Sequence, residues 1–170
     1  MRLIFSIFHL FTKCELVFLK KKFKNYGKNI KFGYLPTISN PNYISLMNNI
    51  IIGNNATLLA IDSDLITKRT PNLKIGNNIY IGHNVSIHSM NSVVLEDNVV
   101  LSDNIYISDV SHGIKLDLEH SIMKQQWESL GGVKIGKGTF LGRGVQVLPN
   151  VEIGNNCIVA AGAIVTKSFE

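Results

Sequence analysis

One histidine stands where exposure and chemistry are easiest to combine. The segment Asp109-Val110-Ser111-His112-Gly113 lies between a strictly patterned region and a stretch with no pattern. Imidazole titrates near neutral pH, so it can take a proton from an attacking hydroxyl and return it to a leaving group. Such a step contributes about 10²–10⁴-fold in rate. His112 is therefore the candidate general base, and Asp109 a candidate to orient the ring or an acceptor hydroxyl. Trp127, the chain's one tryptophan, follows in the unpatterned stretch and suits either stacking on a sugar ring or anchoring a loop. Arg143 and Lys167 are cations that suit phosphate. Cys157 repeats a small inward position and reads as core. Cys14 lies in a separate segment, so no disulfide and a reducing compartment are expected. A three-histidine metal site would draw on His83, His88 and His112. Only His83 stands inside a well-formed repeat, at a surface position, so no metal is expected.

These residues are carried by a repeat. Aliphatic side chains recur every six residues at Ile75, Ile81, Ile87 and Val93, then Leu95, Leu101 and Ile107. After a break they resume at Ile135, Leu141, Val147, Ile153, Val159 and Val165. A period of six is neither helical nor that of a two-faced strand. It marks a parallel β-helix, in which three strand-plus-turn units close one triangular coil. Position two is often glycine (Gly76, Gly82, Gly136, Gly142, Gly154), followed by Asn, Asp or Gly, and these are expected at corners needing left-handed backbone angles. Position five is small or β-branched, as at Val85, Val99, Val145, Val151, Cys157 and Ala163. The coils are expected from about residue 50 to 112, with a less regular stretch at 60–73, and again from Ile135. Residues 29–50 read as irregular or short-stranded. The two-residue slip between Val93 and Leu95 reads as a bulge. Residues 113–132 form a protruding excursion loop of the functional kind.

Length and composition suit one all-β domain with a dry interior: 170 residues, 45% hydrophobic and 17% charged. The formal charge of +5 is concentrated at Lys20, Lys21, Lys22, Lys24, Lys28 and Lys31. No ladder of basic and aromatic residues runs through the repeats, so nucleic acid is not an expected partner. Residues 3–19 are strongly apolar but include His9, Lys13 and Glu15. They read as a short N-terminal helix, with residues 1–28 as helix plus basic connector and 29–170 as the solenoid. That helix either covers the solenoid end or lies in a membrane interface with the lysines on anionic head groups, a peripheral contact through residues 3–24. A signal anchor is the third reading. The expected place is the cytoplasm, or the inner face of the cytoplasmic membrane.

The ordered motifs add a family resemblance. They are Asp109-Val110-Ser111-His112-Gly113, then Gln125-Gln126, and Ile135-Gly136 through Phe140-Leu141-Gly142. Leu148-Pro149-Asn150-Val151-Glu152-Ile153-Gly154 and Ala161-Gly162-Ala163-Ile164-Val165-Thr166-Lys167 follow. Over about residues 50–168 the chain resembles the hexapeptide-repeat acyltransferases, nearest to the sugar O-acetyltransferases of capsule and O-antigen synthesis and the maltose and galactoside acetyltransferases. The resemblance implies a left-handed coil, against the usual right-handed crossover, and a homotrimer with active sites between subunits. It implies direct acetyl transfer from acetyl-CoA to a sugar hydroxyl, with no acyl-enzyme and no metal. The cofactor would run along Ser102, Gly142, Ala161 and Gly162, with Arg143, Thr166 and Lys167 at the nucleotide end. A backbone N–H near Ser102 or Gly142 would meet the oxyanion.

The pattern departs from the family at several points. Phe140 replaces the commoner Trp, and Asn150 replaces the usual Gly, a tolerable swap at a left-handed corner. Gly82 falls where the maltose and galactoside enzymes keep an acceptor-site Asn, which leaves His83 and Asn84 as candidate acceptor contacts. Relatives usually run on past the Val165-Thr166-Lys167 step, whereas the chain stops at Glu170, so weaker CoA binding is expected. Two other functions fit the same motifs: N-acetylation of an amino sugar on a nucleotide carrier, and an inactive scaffold paralogue.

Overall fold

The computed structural model describes residues 19–63, 67–113 and 125–170. The chain winds through successive triangular coils. The first coil is β1 (Asn25–Tyr26), β2 (Ile30–Phe32) and β3 (Thr37–Ser39). The second is β4 (Ile44–Leu46), β5 (Ile50–Ile52) and β6 (Thr57–Ala60), and the third is β7 (Asn72–Ile75), β8 (Ile79–Ile81) and β9 (Ser86–Ser89). The fourth is β10 (Ser92–Leu95), β11 (Val100–Leu101) and β12 (Tyr106–Ser108). A two-stranded antiparallel arm, β13 (Ser111–His112) with β14 (Trp127–Glu128), then leaves the stack. The fifth coil is β15 (Val133–Ile135), β16 (Phe140–Leu141) and β17 (Gln146–Val147). The sixth is β18 (Glu152–Ile153), β19 (Ile158–Val159) and β20 (Ile164–Val165). Strands in the same place of each coil pair in parallel, giving three 6-stranded sheets. The first sheet contains β1, the second β2 and the third β3. The fold is a left-handed parallel β-helix.

Every aliphatic residue on the six-residue beat is buried, from Ile75 at 0% exposure to Val165 at 7%. The beat slips at Val93 for a reason other than a bulge. β10 pairs without interruption to β7, and both Val93 and Leu95 face inward from one strand, as Leu73 and Ile75 do. That extra inward position lengthens the coil. Stacked partners lie 20 residues apart between the third and fourth coils but 18 apart between the fifth and sixth. The longer coil also hid the start of the solenoid. Coils begin at Asn25 rather than near residue 50, and Asn29 stacks on Asn49 at the same 20-residue spacing. The helix expected over residues 3–19 lies, but for Leu19, outside the described residues, as do Cys14 and residues 114–124 of the excursion loop.

Two kinds of corner residue separate cleanly. Left-handed angles occur at position four, as at Asn78, Asn84, Asn98 and Asn104, and at Asn150 with φ 63°. The position-two glycines serve another need. A Cβ on Gly53 would lie 2.5 Å from the Gly82 carbonyl oxygen, and one on Gly82 would lie 2.6 Å from that of Ser102. Coil-on-coil approach, not left-handed backbone, therefore excludes side chains there. The position-four asparagines stack into ladders: Asn29, Asn49, Asn78 and Asn98 at one edge, and Asn55, Asn84 and Asn104 at another.

Candidate active site

Both long departures from the coil leave by the same edge, where the third sheet turns into the first. Residues 61–71 interrupt the path from β6 to β7, and residues 109–132 the path from β12 to β15. The two meet. Arg69 Nη2 donates to the Trp127 carbonyl at 3.0 Å, and Gln126 Nε2 donates to Thr67 Oγ1 at 2.5 Å. The less regular stretch at 60–73 is thus a bracket for the arm that carries the histidine. Within the arm His112 pairs with Trp127, and their rings meet edge-on at 5.7 Å and 84°. The His112 side chain is exposed and Trp127 is half-buried, so the imidazole is held by one ring and open on its outer side. Gly113 N–H donates to the Gln126 carbonyl, which closes the arm against fraying.

Asp109 does a different job from the one its spacing to His112 suggests. Its side chain is fully buried, and its two oxygens accept the backbone N–H groups of Met90 (2.6 Å), Asn91 (2.9 Å) and Ser92 (2.6 Å). Burial raises the carboxyl above its ordinary value, and these three donors offset only part of that rise. The carboxylate fixes the turn into β10 against the point where the arm departs, so it positions the arm through backbone. His88 lies nearby in effect: burial lowers its pKa and the Asp109 charge raises it, while its ring packs edge-on against Tyr106 at 5.3 Å.

The remaining candidates sit on another edge, where the second sheet turns into the third. His83 and Asn84, Ser102, Gly142 and Arg143, and Ala161 and Gly162 occupy successive corners there. His83 Nδ1 accepts the Asn54 N–H at 2.9 Å, and Asn84 is the middle rung of its ladder, so both are tied into the coil. Asp103 binds the His83 N–H at 2.8 Å and meets Arg143 at 3.4 Å; the backbone donor is the main cause of its lowered pKa. The ladder then stops. Gly144 and Gly162 take the left-handed position after Asn104, and a Cβ on either would meet nothing within 4 Å. The edge therefore runs from a side-chain ladder into a smooth, open backbone strip. The N–H groups of Ser102 and Gly142 bond to the Leu141 and Val159 carbonyls, so neither is free to meet an oxyanion. Thr166 and Lys167 are exposed just past β20. Residues 168–170 lie along Glu152–Gly154, where Gly154 N–H bonds the Phe169 carbonyl. A hollow of about 540 Å³ there, beside Lys134 and Glu152, is away from His112. No group of three or more His, Cys, Asp or Glu able to hold a metal occurs among the described residues.

Comparison with known proteins adds to this geometry. Residues 132–167 match the bacterial transferase hexapeptide (six repeats), and residues 72–109 match the hexapeptide repeat of succinyl-transferase. Both models describe hexapeptide repeats of transferases, and the coils of this chain carry that repeat. Its fold is similar to that of AntD, an N-acyltransferase from Bacillus cereus solved with dTDP and 3-hydroxybutyryl-CoA. The TM-score is 0.74 at 20% identity, over 91% of this chain and 79% of that one. It is also similar to a maltose O-acetyltransferase from Clostridium difficile 630, with a TM-score of 0.56 at 22% identity, over 89% of this chain and 64% of that one. The repeat was legible in sequence. The bracket formed by Thr67 and Arg69 was not, because neither residue belongs to a motif and their partners lie 58 or 59 positions away.

Proposed function

We propose that this chain is an acyltransferase that moves an acetyl group from acetyl-CoA to a sugar hydroxyl of a bacterial surface polysaccharide or its precursor, with His112 as general base. The observation that carries the reading is His112 itself: exposed, on a braced arm, with its ring fixed by Trp127. The sugar hydroxyl oxygen attacks the thioester carbon as His112 accepts the hydroxyl proton. Collapse of the tetrahedral adduct breaks the C–S bond, and the imidazolium returns its proton to the CoA thiolate. The open strip at Gly144 and Gly162 suits the pantetheine arm, with Arg143 and Lys167 for the phosphates. CoA use is supported by the AntD complex with an acyl-CoA.

The reading includes a homotrimer. In one chain His112 and the open strip lie on opposite margins of the third sheet. Its strands of two to four residues span about 7–13 Å at roughly 3.3 Å per residue. Reacting groups must come within about 3–3.5 Å, and the reading takes the other half of each site from a neighbouring copy. The second sheet offers the face for that contact. Its outward residues Ile51, Tyr80, Val100, Phe140 and Ile158 are stacked in register and exposed.

Incubation of the full chain with acetyl-CoA and candidate glycans, beside His112→Ala, tests the base. The variant should release CoA thiol about 10²–10⁴-fold more slowly; equal rates would remove His112 from the mechanism. N-acylation of an amino sugar on a nucleotide is the second reading, favoured by the likeness to AntD, which was solved with dTDP. The products separate the two, because an O-acetyl ester is released by mild alkali and an N-acetyl amide is not.

A further inference from the structure

The solenoid converts charge order along the chain into charge order along an axis. Between residues 16 and 61 there are six lysines and no acidic residue, whereas residues 62–170 hold nine Lys or Arg against eleven Asp or Glu. The strands β1, β2 and β3 each end their sheets, so the first coil is the terminal layer of the described stack. Lys20, Lys21, Lys22, Lys24, Lys28 and Lys31 all lie in that coil or in the segment leading into it, and all are exposed. The same coil presents Tyr34 at 46% and Leu35 at 60% exposure, beside Pro36. One end of the prism is thus strongly basic with an aromatic and an aliphatic side chain on its rim, and the rest is slightly acidic.

We propose that this end docks on an anionic lipid surface, with the coil axis rising from the membrane. Lysines near such a surface attract acidic head groups, and the attraction fades within a Debye length of about 8 Å at physiological salt. The six lysines are confined to the terminal layer, while the mildly acidic coils behind are repelled. Charge therefore sets orientation as well as affinity. Tyr34 and Leu35 suit the head-group level, where amphipathic and apolar groups settle. If the acyl-transfer reading holds, the orientation bears on the acceptor. Coils stack at about 4.8 Å, so His112, leaving the fourth coil, stands about 14 Å above the first. That height is within reach of a sugar carried on a membrane lipid.

Co-sedimentation of the full chain with phosphatidylcholine vesicles, with and without phosphatidylglycerol, tests the docking. Binding should require phosphatidylglycerol and should weaken as sodium chloride rises. Each lysine near the surface contributes roughly fivefold, so Lys21→Gln with Lys22→Gln should reduce partitioning about thirtyfold. Lys74→Gln with Lys137→Gln removes the same charge from coils further along and should leave partitioning nearly unchanged; unchanged circular dichroism spectra would show that both pairs fold. Equal binding to pure phosphatidylcholine, equal losses for the two pairs, or no binding to either vesicle would overturn the proposal. So would retention on duplex DNA as tight as on the anionic vesicles at the same salt. None of these readouts depends on whether acetyl-CoA is turned over.

Discussion

Replacing Asp109 separates a positioning role from a catalytic one. The carboxylate is fully buried and holds three backbone N–H groups, at Met90, Asn91 and Ser92. In Asp109→Ala all three lose their acceptor. A buried donor left without a partner costs about 1–3 kcal/mol. Met90 is 2% exposed, so its N–H bears that cost in full, whereas Asn91 and Ser92 are exposed or half-buried and regain water. The expected loss is about 1–3 kcal/mol, or about 2–12 °C in melting temperature for a chain of this size. Asp109→Asn keeps one oxygen but turns an NH₂ toward the donors, so it should fall between Ala and the parent. Thermal or urea unfolding gives the stability, and thiol release with acetyl-CoA gives kcat and KM. Below the melting transition both variants should keep the parent's pH–rate profile, because the carboxylate does not meet the imidazole. An unchanged melting temperature with a displaced pH–rate profile would refute the reasoning and return Asp109 to the reacting groups.

Three further outcomes follow from other parts of the structure. Arg69→Ala removes a charged hydrogen bond of about 1.5–3 kcal/mol to the arm. It should lower kcat about tenfold and change Trp127 fluorescence, with partial recovery in Arg69→Lys; unchanged emission and kcat would mean that the bracket does not hold His112. Asp97 and Asp103 titrate below their ordinary value of 3.8 in the fold, mainly through the backbone N–H of Asn77 and of His83. Their stabilisation is therefore complete above pH 3.8 and is lost as the pH falls through the lower folded values. Asp97→Asn with Asp103→Asn should flatten the acid limb of a stability–pH curve below pH 3.8; an unaltered limb would contradict this assignment. Ile158, at 79% exposure on the apolar face, can take a carboxylate without disturbing its own coil. Ile158→Asp should therefore shift the mass in light scattering from trimer to monomer, and an unchanged mass would remove the second sheet as the interface.

The fold was legible because a solenoid is built from neighbours. Each six-residue unit meets the same environment, so inward Ile, Leu and Val recur at fixed spacing, and the period exposes the coil without knowledge of distant contacts. Where a coil held 20 residues instead of 18 the beat slipped, and the first coil and the start of the second went unread. The glycines were found for the wrong cause: Gly53 and Gly82 answer to the backbone of the next coil, and only stacking reveals that approach. His112 was legible from its motif and its place at the break in the repeat. Its surroundings were not, since Arg69 and Thr67 are brought to its arm, and the amides of residues 90–92 to Asp109, by coil stacking across separations that no local pattern encodes. The sequence alone determined the coil, the break and the histidine. Only the tertiary structure decided that Asp109 serves the backbone and that the candidate base and the open strip occupy different edges. The reason is that hydrogen-bond partners and prism edges depend on how coils register, a property of the stack and not of any one repeat.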